Sequence, residues 1–422
     1  MHNRFHTLVI GGGCLGCATA FSLARCLGQG KDIAIVEKAV LGAGLSSRHS
    51  GIIRSANAVS KAARLAKYAT EMWQDLPRYW RVSTPFEKPG AIWIAPPHGN
   101  RHSDKWSDLV QTMIQEGISF EPISPAEARQ LSGDLLVTNA DERYFYEPEV
   151  LQLDGLRLRR TFYEGVAKNA IALLEEHTVL GVKCSDKGLI NEVITDKGVL
   201  ECDFVVNAVG AWSPALFAPL GIQIPIGLDP VYAANWLVSP ARLSKKFPII
   251  ADFVNLAYIR RWGHGEIHVH QPRLRSSTGL ARIFAETSKK AYTADKIYAA
   301  TATDFTDTVH SKRLAYSQIL QRRLPSLNSK LFMNATVSYF DITPDLQFIL
   351  GSDPSVPNLF HCLGGGQSLK YAPVFGELIA ELIIKDKTSV SQLDVSEYSI
   401  SRFANKPLSV FWESFKTGQN AL

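Results

Sequence analysis

Apolar residues fall in short runs along the first forty positions, and the first run ends abruptly at glycine. Phe5–His6–Thr7–Leu8–Val9–Ile10 has the length and composition of a buried strand, and Gly11–Gly12–Gly13–Cys14–Leu15–Gly16 follows at once. Ala18 to Leu27 then reads as a helix, and Asp32 to Val36 as a second strand ending at Glu37. The strand signature returns at Phe204 to Val209, which stops at Gly210, and at Leu359 to Leu363, which stops at Gly364–Gly365–Gly366. Val374 to Ile384 has helical period. Thr178 to Glu201 alternates apolar and polar residues around two Asp-Lys-Gly turns, the pattern of an antiparallel meander. Val231 to Val238, Ala257 to Arg260 and Glu266 to His270 read as antiparallel strands of a second unit. Residues after Asp386 are mostly polar with scattered aromatics and are expected to drape over the surface.

The first motif is GxGxxG in strand–turn–helix context. Gly11 permits the tight turn, Gly13 lets the backbone approach a pyrophosphate, and Gly16 lets the helix pack closely on the strand. The helix start at Cys14 and Leu15 offers free N–H groups and a positive dipole end to phosphate. Glu37, followed by Lys38, is placed to accept hydrogen bonds from the ribose hydroxyls of an adenosine, which argues against a 2′-phosphate. These features leave NAD and FAD both open. The Gly/Ser-rich loop Leu41 to Gly51 offers Ser46, Ser47, Arg48, His49, Ser50 and Gly51 to a further part of the cofactor; its plain alternative is an ordinary surface loop.

Length and charge narrow the classes. With 422 residues the chain suggests two domains, each able to bury a core. A net charge of +5, from 45 basic and 40 acidic residues without a dense basic block, excludes nucleic acid as a partner. No run reaches the roughly 18–20 uninterrupted apolar residues of a membrane span. Thr7 to Leu23 is broken by glycines and lacks the flanks of a signal peptide. Cys14 and Cys17 have CxxC spacing, but a metal or disulfide there would compete with phosphate, so both are read as packing residues and no metal site is expected. A reducing, cytoplasmic setting follows as the expectation.

Five segments in order then carry a likeness to a known family. GGGCLG with the Glu37 strand end, SSRHSGIIRSAN, FVVNAVGAWS and YFDITPD, closed by GGGQSLKYAP, resemble the D-amino-acid oxidase superfamily of flavoproteins. Within it the chain is most similar to the sarcosine oxidase group, especially the β-subunits of heterotetrameric sarcosine oxidases. The likeness is weak over Glu87 to Asp141 and Ile222 to Leu331.

That resemblance implies an α/β fold: a Rossmann-like FAD-binding domain from residues 1–85, 142–221 and 332–400. A substrate domain with a mainly antiparallel sheet is expected from 86–141 and 222–331, and a tail from 401–422. It implies FAD contacts at Ala208, Gly210 and Trp212, at Val182 and Lys183 on the meander, and along Gly364, Gly365, Gly366, Gln367, Ser368 and Leu369. It implies oxidation of a carbon–nitrogen bond beside a carboxylate, with hydride passing to flavin N5 and the imine hydrolysing. Arg54 and Lys370 match the residues that hold the substrate carboxylate; Tyr258 is a further donor candidate.

Departures from the pattern bear on the electron acceptor. Gly51 stands where monomeric sarcosine oxidases carry an arginine, and Ser338 where they attach FAD through cysteine, so FAD is expected to bind non-covalently. The lysine that promotes reaction with oxygen corresponds to about His268, and no histidine near Gly155 matches the anchor of a second flavin. Oxygen, a quinone or another protein are all open as acceptors, and a partner subunit is open too. Two other classes remain: a flavin-dependent 2-hydroxy acid dehydrogenase, with His268 or His49 as base, and a non-catalytic flavoprotein scaffold.

Overall fold

The computed structural model describes residues 3–99, 103–238, 243–262, 266–270, 306–327, 331–391 and 393–404. Two eight-stranded sheets organise them. The first is built on a parallel core, β18 (Leu359–Leu363), β11 (Gly198–Asn207), β1 (Arg4–Ile10), β2 (Ile33–Val36) and β8 (Ala172–Leu174). β17 (Ile349–Ser352) adds an antiparallel edge, and β9 (Val179–Cys184) and β10 (Ile190–Thr195) form the expected meander with β11.

Helices cover this sheet on one face. α1 (Cys14–Leu27), α2 (Ser60–Gln74), α3 (Leu76–Trp80), α6 (Gly155–Lys168) and the last helix, α9 (Ser368–Lys385), bury a core with Val9, Ile33, Ile35, Val206 and Phe360. α1 and α9 pack at backbone contact: a Cβ on Gly376 would lie 2.4 Å from the Ala18 carbonyl carbon. The opposite face packs Leu8, Ile10, Val205 and Leu359 against the short helix α7 (Ser213–Phe217).

The second sheet runs β16 (Leu331–Ile342), β12 (Gly227–Leu237), β15 (Glu266–His270), β14 (Ala257–Trp262), β13 (Ile249–Asp252), β4 (Ala91–Ala95), β6 (Arg143–Glu147) and β5 (Glu121–Ile123). Every neighbour pair is antiparallel except β13 with β4. Period-two alternation gives the sheet two different faces. One carries Ile92, Ile94, Ile250, Ile259, Ile267 and Val269 and packs beneath α5 (Pro125–Leu131) and α8 (Thr306–Arg323). The other carries Trp93, Phe145 and Tyr258, against which α4 (Ser103–Gln115) lays Trp106, Leu109 and Met113. A two-stranded ribbon, β3 (Ile52–Ile53) with β7 (Leu151–Gln152), also leads toward the candidate site.

The mixed architecture agrees with the sequence reading, and three details differ. β6 and β16 are hydrogen-bonded into the second sheet, whereas division at 142 and 332 grouped them with the first. The segment after Asp386 does not drape: Val390, Leu393 and Tyr398 enter one core, and Ile400 and Phe403 the other. The last helix starts at Ser368, six residues before Val374, and carries Pro373 inside it, where the sequence reading starts the helix after that proline. Residues 405–422 of the expected tail and 271–305 of the expected substrate domain lie outside the described residues. Among the described residues no helix is long and apolar enough to cross a membrane, and no cluster of His, Cys, Asp and Glu could hold a metal.

Candidate active site

The parallel alignment of β2, β1, β11 and β18 brings the loops after their carboxyl ends together. Gly11 N donates to Val36 O at 2.9 Å, and Ala208 N to Ile10 O at 2.9 Å. Gly11 has φ +103°, and a Cβ there would lie 2.5 Å from Ala208 O; a Cβ on Gly16 would lie 1.9 Å from Gly11 O. Both positions therefore exclude a side chain. α1 begins after Gly13 with no side-chain cap and no acidic residue in its first turn, which leaves its positive end to an anion. Cys14 N donates to Ser46 Oγ at 2.8 Å, tying the Gly/Ser loop to the helix start.

Glu37 uses one carboxylate oxygen for Gly12 N at 2.8 Å and the other for Ala39 N at 2.9 Å. Each oxygen keeps acceptor capacity for a ribose hydroxyl. Lys38 Nζ lies 4.3 Å from the centre of the Trp212 ring, and Gly210 stands at φ +57°. Gly364, Gly365 and Gly366 all have positive φ and lead to α9, whose start at Gln367 also lacks a side-chain cap. Ser368 Oγ donates to Gly364 O at 2.8 Å, and Leu369 packs on the core. Two uncapped helix starts and a glycine cradle, with an acidic strand end beside them, fit a flavin dinucleotide. Ser47, Arg48 and Ser50 are half-buried on the loop, with Ser47 O close against Gly155. The meander pair sits differently: Lys183 pairs with Glu192 at 3.1 Å on the exposed side of β9, and Val182 packs under it.

Cys14 and Cys17 are buried and free, and burial pushes Cys14 up to about 11, as inert packing thiols require.

The second sheet supplies the other half of the site. Arg54, just after β3, lies with its guanidinium carbon 5.1 Å from the centre of the Trp93 ring and bonds to the Tyr258 side chain and Ala56 O. Glu147, with no solvent exposure, accepts from Ser55 N at 2.7 Å, Ala56 N at 3.1 Å and Trp93 Nε1 at 3.1 Å. Burial pushes its carboxyl up, and the Arg54 charge with these donors opposes the rise. Lys370 enters from the first turn of α9. It is 5% exposed, its Nζ has no hydrogen-bond partner, and that nitrogen lies 4.6 Å from the centre of the Tyr371 ring. Burial, aided by the Arg54 charge, holds its ammonium well below the ordinary lysine range; Glu147 acts in the other direction. Arg54, Lys370 and Tyr258, from three distant segments, thus meet around Glu147.

His268 and His49 belong to a neighbouring group. Arg260 is 1% exposed and places Nη2 3.3 Å from Leu153 O. A Cβ on Gly51 would lie 2.8 Å from that nitrogen, so the space beside Gly51 is taken by a guanidinium from β14. Burial lowers Arg260 to about 9. His268 Nδ1 pairs with Asn235 Oδ1 at 2.8 Å, and its ring stacks on Trp262 at 4.8 Å. His270 stacks on Tyr258 at 5.1 Å. Burial, then Arg260, holds His268 well below its ordinary range and brings His49 and His270 down to about 3. All three rings are neutral near pH 7.

Sequence reasoning missed Glu147, Trp93, Arg260 and His270. The signal for Arg260 was present, because Tyr258, Arg260 and Trp262 alternate onto one strand face. Glu147 stands alone in an aromatic strand, and only the pairing of β6 with β4 shows what it faces.

Fold and cradle together define a flavin-type dinucleotide-binding protein with a second sheet laid against the cofactor loops. The chain belongs to the family described as DAO, FAD dependent oxidoreductase, which matches residues 6–382, and its cofactor is FAD. It is 26% identical to the mitochondrial pyruvate dehydrogenase phosphatase regulatory subunit of Mus musculus, over 93% of this chain and 43% of that protein. It is 25% identical to the formaldehyde-forming 4-methylaminobutanoate oxidase of Paenarthrobacter nicotinovorans, over 94% and 45%. The chain therefore spans less than half the length of these two relatives. Against the peroxisomal sarcosine oxidase of Mus musculus it is 23% identical over 94% of this chain and 96% of that one. Among solved structures, the L-proline dehydrogenase from P. horikoshii superposes with TM-score 0.75 at 22% identity, covering 96% of this chain and 98% of that one.

Proposed function

We propose that the chain oxidises the C–N bond of a small amino acid or N-substituted amino acid, with Arg54 and Lys370 holding the substrate carboxylate. The observation that carries this is the buried Nζ of Lys370, without a hydrogen-bond partner and within electrostatic reach of Arg54. A buried amine without a hydrogen-bond partner is costly, and a ligand carboxylate supplies the missing acceptor. Arg54 offers a planar pair of donors and Tyr258 a hydroxyl beside it, so the carboxylate would be fixed in orientation and not only attracted. Glu147 fixes the backbone at Ser55 and Ala56 and thereby aims Arg54. Bound FAD supplies the hydride acceptor. The first sheet with its helices is the FAD-binding unit in this reading, and the inner face of the second is the substrate wall.

The relatives' names support the substrate class: sarcosine, 4-methylaminobutanoate and L-proline are all amines bearing a carboxylate. The 2-hydroxy acid reading needs a base, and both nominees are poorly placed. Protonating His268 or His49 beside the buried Arg260 charge is costly. The similarity to a phosphatase regulatory subunit keeps a scaffold role in view, but an idle pocket gains nothing from an uncompensated lysine. The electron acceptor is oxygen, a quinone or a protein, and likeness to sarcosine oxidase subunit beta of Rhodobacter capsulatus, 24% identical over 63% of each chain, makes a partner subunit a natural source.

Arg54→Ala tests the clamp. It should raise the substrate concentration for half-maximal anaerobic flavin reduction roughly a hundredfold or more while FAD stays bound. Unchanged half-saturation would remove Arg54 from the site.

A further inference from the structure

An amino acid in water is a zwitterion, and its nitrogen must lose a proton before the adjacent carbon can give up hydride. We infer that Lys370 takes that proton, and that only then does it become the second cation of the clamp. The inference rests on the amine-oxidising reading above and concerns the same pocket.

The charges around Nζ carry the argument. From the β3 exit comes Arg54, from β6 Glu147, from β14 Tyr258, and from α9 itself Tyr371. Trp73 of α2 reaches the Lys370 backbone, its Nε1 donating to Lys370 O at 3.0 Å. One carboxylate balances one guanidinium, so a charged Lys370 would be a second buried cation with no counter-ion and no acceptor. The free pocket is neutral when Lys370 is a neutral amine, in keeping with the downward push of burial and Arg54 on its ammonium. A zwitterion enters such a pocket without changing its net charge. The substrate N–H bond breaks and leaves its electron pair on nitrogen, and the Lys370 lone pair binds the proton. The amine goes from +1 to 0 and the lysine from 0 to +1. The new ammonium then faces the substrate carboxylate, so proton transfer tightens the grip and prepares the nitrogen together. No further reactant is needed.

Carboxylates that lack the amine separate this from a permanently charged lysine. Butanoate is the carbon isostere of N-methylglycine, and cyclopentanecarboxylate that of proline; neither brings a proton. Binding of either to the FAD-loaded protein, followed by flavin absorbance and by calorimetry at about pH 8 in buffers of different ionisation enthalpy, should take up about one proton per site. Lys370→Met and Lys370→Arg should take up none. In Lys370→Arg, which keeps the charge but cannot accept a proton, the amino acid concentration for half-saturation in anaerobic reduction should rise about tenfold for each unit by which the pH lies below the amine pKa. The wild type should lack that slope. Zero uptake by the wild type, or uptake unchanged in Lys370→Met, overturns the inference; if amino acids still bleach the flavin, the amine-oxidising reading survives. Failure of every carboxylate and amino acid to bind overturns both.

Discussion

Glu147 meets four demands at one carboxylate: two backbone N–H groups, the Trp93 indole and the charge of Arg54. Glu147→Leu removes the acceptor and leaves buried donors and Arg54 unmatched, and urea titration should show a loss of about 3–5 kcal/mol. Glu147→Gln keeps one acceptor oxygen and should lose less. A loss below about 0.5 kcal/mol for the leucine variant would mean that the loop carrying Arg54 is held by something else. Arg54 and Lys370 were legible in the sequence because each sits inside a short motif. Glu147 was not, because its hydrogen-bond donors lie on β4 and in the loop after β3, up to 92 positions away, and the burial that makes it matter exists only once β4, β6 and the β3 exit have met.

The strand β1 was read to within a residue and the end of helix α1 to the residue, since apolar run, glycine spacing and helical period all point the same way there, while α1 begins at Cys14, four residues before the expected Ala18. The turn has no slack, with the Gly16 position 1.9 Å from Gly11 O for any Cβ. Gly16→Ala should force α1 off β1 and yield protein with markedly less FAD per chain, measured from the ratio of flavin to protein absorbance. FAD content equal to wild type would contradict the cradle. Other elements were hidden by long-range pairing. β6 and β16 look like members of whichever segment surrounds them until hydrogen bonding assigns them to the second sheet. The stretch from Val390 to Phe403 is polar enough to read as surface, yet its few apolar side chains each find a core.

Across the whole molecule, the inner face of the second sheet buries Arg260 with neutral histidines instead of carboxylates. His49 and His270 sit at about 3 in the folded protein and titrate near about 6.5 when unfolded. Between those values the unfolded chain binds more protons, so stability is fully present above about pH 6.5 and declines as pH falls toward about 3. Thermal midpoints should drop from pH 7 to pH 5, and His270→Phe should reduce the drop. An equal drop in that variant would place the acid sensitivity at another histidine, His49 or His268, and not at Glu142 beside Arg323. Its carboxyl is held low by Arg323, against the effect of burial, so its contribution is lost only below about pH 4.5.

The most direct measurement is anaerobic bleaching of the FAD-loaded protein at about 450 nm by N-methyl amino acids, proline, other amino acids and 2-hydroxy acids, followed by admission of air. The account predicts bleaching by at least one carboxylate-bearing amine, with half-saturation strongly raised in Arg54→Ala and FAD content unchanged. The rate of recolouring in air then separates an oxidase from a dehydrogenase. Bleaching by hydroxy acids alone, or by none of the panel, would contradict it.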